Sequence, residues 1–256
     1  MSVTLISKKV ILYWCGIMVE ESEVGAGVSI RKEVERMIEA GDLVGLLHKA
    51  GEVHGHLCNY LAYGVKAGYF AMRELEVKSI GMEEVIAIVE TNNCFSDGIQ
   101  ITTGCSFGNN ALLYKDLGKT AVTVAKRDGT AVRLVLDPDF EDSREKEYSE
   151  AYELWDKIVA RREKATPKEH EIMMQLFAEM SINELSKPAD EMFRAERLKT
   201  TVPEYAPIFT SIRCSICGEN VMESRARVKD GKPICIECAK GEHYILDGGE
   251  ISAKGN

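Results

Sequence analysis

The chain has 256 residues, 45% of them hydrophobic and 29% charged, with 41 acidic against 32 basic side chains and a net charge of −9. That composition belongs to a folded globular protein and excludes disordered, collagen-like and coiled-coil chains. The acidic balance repels phosphate backbones, so non-specific nucleic-acid binding is disfavoured.

Residues 1–28 read as a leader. Val10–Val19 is an apolar run preceded by Lys8 and Lys9, like the start of a secretory signal, but Glu20-Glu21-Ser22-Glu23 stands where a small-residue cleavage site belongs. Ten residues rise only about 15 Å as a helix, too short to span a bilayer. The expectation is a buried strand or an unstructured leader, with no membrane partner.

A helical period opens after Gly27, with Ser29 as N-cap and Ile30, Val34, Met37 and Ile38 on one face before Gly41. His54-Gly55-His56 leads into a second helical stretch over 57–75, where Leu61, Gly64, Ala67, Gly68 and Ala71 form a small-residue face that allows close backbone approach. Val85–Val89 reads as a buried strand ending at Glu90-Thr91-Asn92-Asn93-Cys94. Ser96 or Asp97 is expected to cap a short helix through Ile101, followed by tight backbone at Thr103-Gly104-Cys105 and Gly108-Asn109-Asn110. Thr120–Ala125 and Thr130–Leu136 around Asp128-Gly129 form the clearest hairpin signal.

From Glu141 to Glu163 the chain is heavily charged, with Tyr148, Tyr152, Trp155 and Val159 at helical spacing, which predicts one amphipathic helix. Thr166-Pro167-Lys168-Glu169 predicts a capping box that starts another helix through Met180. Pro188, Pro203 and Pro207 then mark a connector. The reading is therefore α+β: a core over 29–140 with helices on a largely antiparallel sheet, a helical connector over 141–205 and a small finger over 206–256.

Eight cysteines are present, four of them in two Cys-x-x-Cys pairs. Cys214-x2-Cys217, seventeen residues, then Cys235-x2-Cys238 has the spacing of a structural four-thiolate zinc site. A hairpin about Asp230-Gly231 and a short helix over 236–241 would make it a treble clef, with zinc affinity acting in effect as its folding energy. Acidic residues interleave with its arginines and lysines, which favours a structural finger over a binding one. No ferredoxin-type cysteine run, phosphate loop or nucleophile elbow is present, so iron–sulfur transfer, nucleotide binding and serine hydrolysis lack support.

His54, His56 and Cys58 alternate along an extended segment, and Cys94, Asp97 and Cys105 lie at the end of the buried strand and in the segment after it. These two stretches are the candidate site. His54, His56, Cys58 and Cys94 form a candidate second metal site suited to zinc or another transition metal, with Cys105 as a further ligand candidate. Cys58 and Cys105 are the candidate nucleophilic thiols, each beside His56, and Asp97 the residue that orients a ligand or shuttles a proton.

His54-Gly55-His56-Leu57-Cys58 with Gly64, then Glu90-x3-Cys94-x2-Asp97-Gly98-Ile99-Gln100-x2-Thr103-Gly104-Cys105-x2-Gly108, then Asp116-Leu117-Gly118-Lys119 resemble the FmdE family, named after formylmethanofuran dehydrogenase, over about residues 30–137. The resemblance implies an α+β homodimer whose histidines and cysteines line a cleft, often with an appended treble-clef finger. It also implies an association with a molybdenum or tungsten enzyme of methanogenesis that reduces carbon dioxide onto methanofuran. With no pterin or cluster signature of its own, this chain would be an accessory, not the redox component. The other functions in view are a regulatory module that senses a metal or ligand and contacts partners through the finger, and a metal-delivery protein; in each case the expected location is the cytoplasm. Cys58-Asn59-Tyr60 departs from the Cys-Pro-Gly expected of the family, Lys66 stands near an expected arginine and Gly98 replaces an expected alanine, so the mouth of the site is altered.

Overall fold

The computed structural model describes residues 30–255. The leader 1–28 and the expected cap Ser29 lie outside them. Helix α1 (Lys32–Ala40) buries Val34 and Ile38 and stops at Gly41, whose φ of 71° is the left-handed conformation that glycine adopts without strain. Asp42 then caps α2 (Leu43–His54) by accepting from the Gly45 N–H at 2.8 Å.

Helix α3 (Asn59–Glu74) is the centre of the domain. It is buried on nearly every side, as a helix packed on two faces must be. Tyr63, Ala67, Ala71 and Met72 face the sheet, while Leu61, Ala62 and Val65 lie in a second cluster with Leu46 and Leu47 of α2 and with Met173, Phe177 and Met180 from later in the chain. Strand β1 (Val85–Val89) follows, fully buried, then α4 (Cys94–Thr103), β2 (Leu112–Tyr114) and the hairpin of β3 (Ala121–Lys126) and β4 (Thr130–Leu136).

The segment 141–205, expected as a connector, packs onto this core and completes its sheet. Pro138 starts α5 (Pro138–Glu147) under an Asp137 cap, and α6 (Ser149–Trp155) runs into a π-helical turn, Asp156–Ala160. The single amphipathic helix expected over 141–163 is thus broken at Tyr148, where φ −117° and ψ 40° leave the helical region. Helix α7 (Pro167–Ser186) has the expected capping box, with Thr166 and Glu169 bonding each other's backbone N–H, and runs on past Met180 to Ser186. The short α8 (Ala189–Met192) delivers β5 (Phe193–Lys199) to the sheet, where it pairs with β4 along its whole length.

The five-stranded order is β2-β1-β3-β4-β5, parallel between β1 and β2 and antiparallel elsewhere. Two buried charged contacts join this late segment to the early one. The Lys66 ammonium donates to the carbonyl oxygens of Leu185 (2.8 Å), Glu184 (3.4 Å) and Lys187, satisfying the otherwise orphaned C-terminus of α7. Arg144 of α5 pairs with fully buried Glu184 at 3.1 Å.

The tail carries three small hairpins: β6 (Ser211–Arg213) with β7 (Asn220–Met222), β8 (Arg227–Lys229) with β9 (Lys232–Ile234), and β10 (His243–Leu246) with β11 (Ile251–Lys254). Asp230-Gly231 makes the turn of the second, both residues at positive φ. The helix expected over 236–241 is instead a run of turns closed by the bonds of Ala239, Lys240 and Gly241 N–H to the carbonyls of Cys235, Glu237 and Ile236. Lys240, at φ 52°, leaves the right-handed region before a second helical turn can form.

Candidate metal centre

Three helix ends meet at one point. Helix α2 ends on His54 because Gly55, at φ 94°, closes it with a bond from its N–H to the Gly51 carbonyl. Cys58 is extended backbone at the N-cap of α3, and Cys94 is the first residue of α4. The cap of α4 is Asn93, whose side-chain oxygen accepts from the Phe95 N–H at 3.0 Å, rather than Ser96 or Asp97. Asp97 is thereby freed to face sideways, and Ser96 instead donates to the Thr91 carbonyl.

The meeting of α3 and α4 depends on two glycines. A Cβ on Gly64 would collide with the Phe95 carbonyl oxygen, and one on Gly98 would lie 2.5 Å from the Leu61 oxygen and the Val65 nitrogen. Each glycine is therefore the space into which the other helix fits. This contact sets the N-termini of both helices, and so Cys58 and Cys94, side by side.

His54, His56, Cys58 and Cys94 each offer a ligand atom within 4.8 Å of all the others. His54 Nδ1 is 2.7 Å from Asp97 Oδ2; an ionised carboxylate only accepts, so Nδ1 carries the proton and Nε2 presents its lone pair. That Nε2 is buried and has no hydrogen-bond partner among the described residues, an unusual state for a ring nitrogen unless an ion completes it. Asp97 is steadied in turn by Gln100 Nε2, which donates to its Oδ1 at 2.9 Å. This is the carboxylate–histidine arrangement that orients metal ligands.

The neighbouring Cys58 thiol holds Cys94 down to about 6, with nearby His54 adding to the effect, while Cys94 and burial push Cys58 up. The N-terminus of α4 favours the Cys94 thiolate further. Burial, then the neighbouring His54, lowers the affinity of His56 for a proton. Two imidazoles and two sulfurs are a donor set for zinc or another borderline transition metal, so the residues fit such an ion.

Cys105 is not part of this group. It lies beyond the far end of α4, about 15 Å along the helix from Cys94, and is fully buried with Sγ 3.3 Å from the Val85 carbonyl oxygen. That distance from the cluster leaves Cys105 neither a ligand role nor a nucleophile role beside His56, and burial raises its pKa to about 11. Thr102 and Thr103 are likewise structural, donating back to the Gly98 and Ile99 carbonyls. Asn59 and Tyr60, where the family pattern expects Pro-Gly, do not loosen the mouth: Asn59 donates to the Tyr152 hydroxyl at 3.1 Å and Tyr60 to Glu141, fastening α3 to α6 and α5. Beside the site, Val53, Asp97, Gln100, Ile101 and Asn109 help line a cleft of about 330 Å³.

In the tail, Cys214, Cys217, Cys235 and Cys238 also fall within 4.8 Å of one another. Cys217 and Cys235 sulfurs are 3.9 Å apart, close to the roughly 3.8 Å edge of a tetrahedron with Zn–S bonds of ~2.3 Å. Gly218, at φ 80°, turns the first knuckle. Backbone N–H groups, chiefly of Cys217 and Cys235, hold Cys214 down to about 6, while the sulfur of Cys235 and then burial push Cys238 up to about 12. A cation is the natural counterweight to such crowded sulfurs, and the four residues fit zinc.

The family model described as "FmdE, Molybdenum formylmethanofuran dehydrogenase operon" matches residues 53–194, from the end of α2 into β5. The chain belongs to the FmdE family. A second model, the prokaryotic dksA/traR C4-type zinc finger, matches residues 207–243. Together they make this an FmdE-family metal-binding protein with a C-terminal four-cysteine zinc finger. A relative from Archaeoglobus fulgidus described as a probable S-adenosyl-L-methionine-binding protein is 40% identical over 211 residues, covering 80% of this chain. The chain spans 55% of that relative's length. The crystal structure of a tungsten formylmethanofuran dehydrogenase FmdE-like protein from Syntrophus aciditrophicus shares the fold, with a TM-score of 0.50 at 20% identity, over 77% of this chain and 91% of that one. Among the described residues no helix is long and apolar enough to cross a membrane.

Proposed function

We propose that this FmdE-family protein carries two metals, a structural zinc in a treble-clef finger and a transition metal in the core, and serves as an accessory to a molybdenum or tungsten formylmethanofuran dehydrogenase or a related one-carbon enzyme. A homodimer in the cytoplasm belongs to the same proposal. The observation that carries it is the convergence of His54, His56, Cys58 and Cys94, with a buried Nε2 that no described protein group satisfies. Four protein ligands around one ion leave it closed, which favours metal sensing or delivery over turnover at rest.

Elemental analysis of protein purified without added metal tests this. The full chain is expected to hold two metals, and a variant with serine at 214, 217, 235 and 238 to hold one. A variant that holds none removes the core metal. Loss of the core metal on His54→Ala, with the finger zinc retained, completes the assignment.

A second reading rests on the Archaeoglobus relative, whose description makes S-adenosyl-L-methionine the first small molecule to try. The cleft beside Asp97 is where it would be sought. Calorimetric titration that detects no heat at millimolar concentration removes this reading.

A further inference from the structure

The four groups around the core site are not held alike. His54 closes α2, with its ring pinned to Asp97 at 2.7 Å and Asp97 pinned to Gln100 at 2.9 Å. Cys58 and Cys94 sit at the starts of α3 and α4, two helices locked together through Gly64 and Gly98. None of these three can shift without moving a helix.

His56 differs on each count. It stands in the link between α2 and α3, directly after Gly55, which is at φ 94° and has no atom within 4 Å of the place a Cβ would take. Its ring is half-buried, and among the described residues it forms no hydrogen bond; its ring contact is a tilted one with His54 at 4.4 Å between centroids. Ligands held by an outer hydrogen bond stay oriented, and their affinity depends on it. His56 lacks that restraint and occupies the most yielding backbone at the site.

We infer that His56 is an exchangeable ligand: His54, Cys58 and Cys94 retain the core metal, and His56 yields its position to a small molecule that donates a neutral nitrogen or a single thiolate. This rests on the metal reading above. Two thiolates already balance a divalent ion and the Asp97 carboxylate lies behind His54, so the opened position discriminates against multiply charged anions such as phosphate esters. The site is then closed at rest and opened by its ligand, without movement of any helix.

The test uses the full chain loaded with cobalt(II), in wild type, His56→Ala and His54→Ala, with imidazole as the probe. The four thiolates of the finger contribute equally to all three visible spectra and cancel in the differences. His56→Ala is expected to keep its core cobalt with affinity reduced no more than about tenfold and to change its visible bands on adding imidazole, whereas His54→Ala loses about a hundredfold or more. The inference is overturned if His56→Ala releases cobalt as fully as His54→Ala, or retains it with bands that ignore imidazole. Should His54→Ala not fold, as judged by its melting curve, Asp97→Asn replaces it, because it unpins His54 without removing it. A wild-type chain that takes up metal only in the finger overturns the metal reading itself, and that result appears before any variant is made.

Discussion

At the scale of single residues, Asp97 shows how one carboxylate does two jobs. It fixes which ring nitrogen of His54 carries the proton, and it aims the other into the cluster. Asp97→Asn keeps the shape but can present an amide N–H to Nδ1, which favours the wrong tautomer. Core-metal affinity is expected to fall about 10–100-fold, as for other outer-sphere partners, with the melting temperature of the metal-free protein nearly unchanged; competition with a chromophoric chelator measures it.

Glu90, just past β1, gives the acid behaviour. Both its oxygens accept from Arg133 at 2.8 Å in a bidentate pair, and those bonds hold its carboxyl below the ordinary value of 4.5. A carboxyl whose folded pKa is lowered stabilises the fold fully above its unfolded pKa. That contribution fades as pH drops from about 4.5 through the folded value. Glu90→Gln is expected to cost about 1.5–3 kcal/mol at neutral pH and to flatten the acid limb of a urea-midpoint profile; an unchanged profile would show that the pair contributes nothing.

At the scale of elements, the crossing of α3 and α4 joins stability to the site. Gly64→Ala puts a methyl group onto the Phe95 carbonyl, backbone that cannot turn aside as a side chain would. Overpacking of this kind costs roughly 1–3 kcal/mol or more, and relief requires the helices to separate. The Cys58 and Cys94 sulfurs then separate too, so both the thermal midpoint and the core-metal affinity should fall together. Gly55→Ala, with open space around it, should strain the backbone without touching α3 or α4 and so leave the thiols paired.

For the whole molecule, the boundary of the folding unit decides what can be removed. Strand β5 forms seven register pairs with β4, and α7 rests its C-terminal carbonyls on Lys66 of α3. A chain cut after residue 140 loses both and leaves β4 as a bare edge with Lys66 facing no acceptor. It is expected to aggregate or stay unfolded, whereas a chain cut after residue 205 should melt cooperatively near the temperature of the full protein. Circular dichroism melts of the two truncations distinguish this boundary from a core that ends at 140.

Much of the molecule is local and was therefore legible in the chain itself. The two Cys-x-x-Cys pairs, the Asp128-Gly129 hairpin, the capping box at Thr166 and the apolar run Val85–Val89 depend on neighbours a few residues apart, and all occur where the spacing places them. The small-residue face of α3 was visible as well, although not its partner, Gly98. What required the tertiary structure was the pairing of distant segments. Cys94 and Cys105 are equally plausible beside His54 and His56 in the sequence; only the direction of α4 brings one to the site and carries the other to the opposite end. The charged stretch after Glu141 shows its apolar helical period in the chain, but not what that face packs on: Ala151, Ile158, Met173, Phe177 and Met180 are buried with Leu46, Leu47, Leu61 and Val65, and Arg144 to Glu184 and Lys66 to the end of α7 add polar contacts. Spacing shows that such a face exists, and only the tertiary structure shows which helix it meets. Local chemistry wrote the ligands into the sequence, and the long-range packing of helices on a five-stranded sheet chose which of them meet.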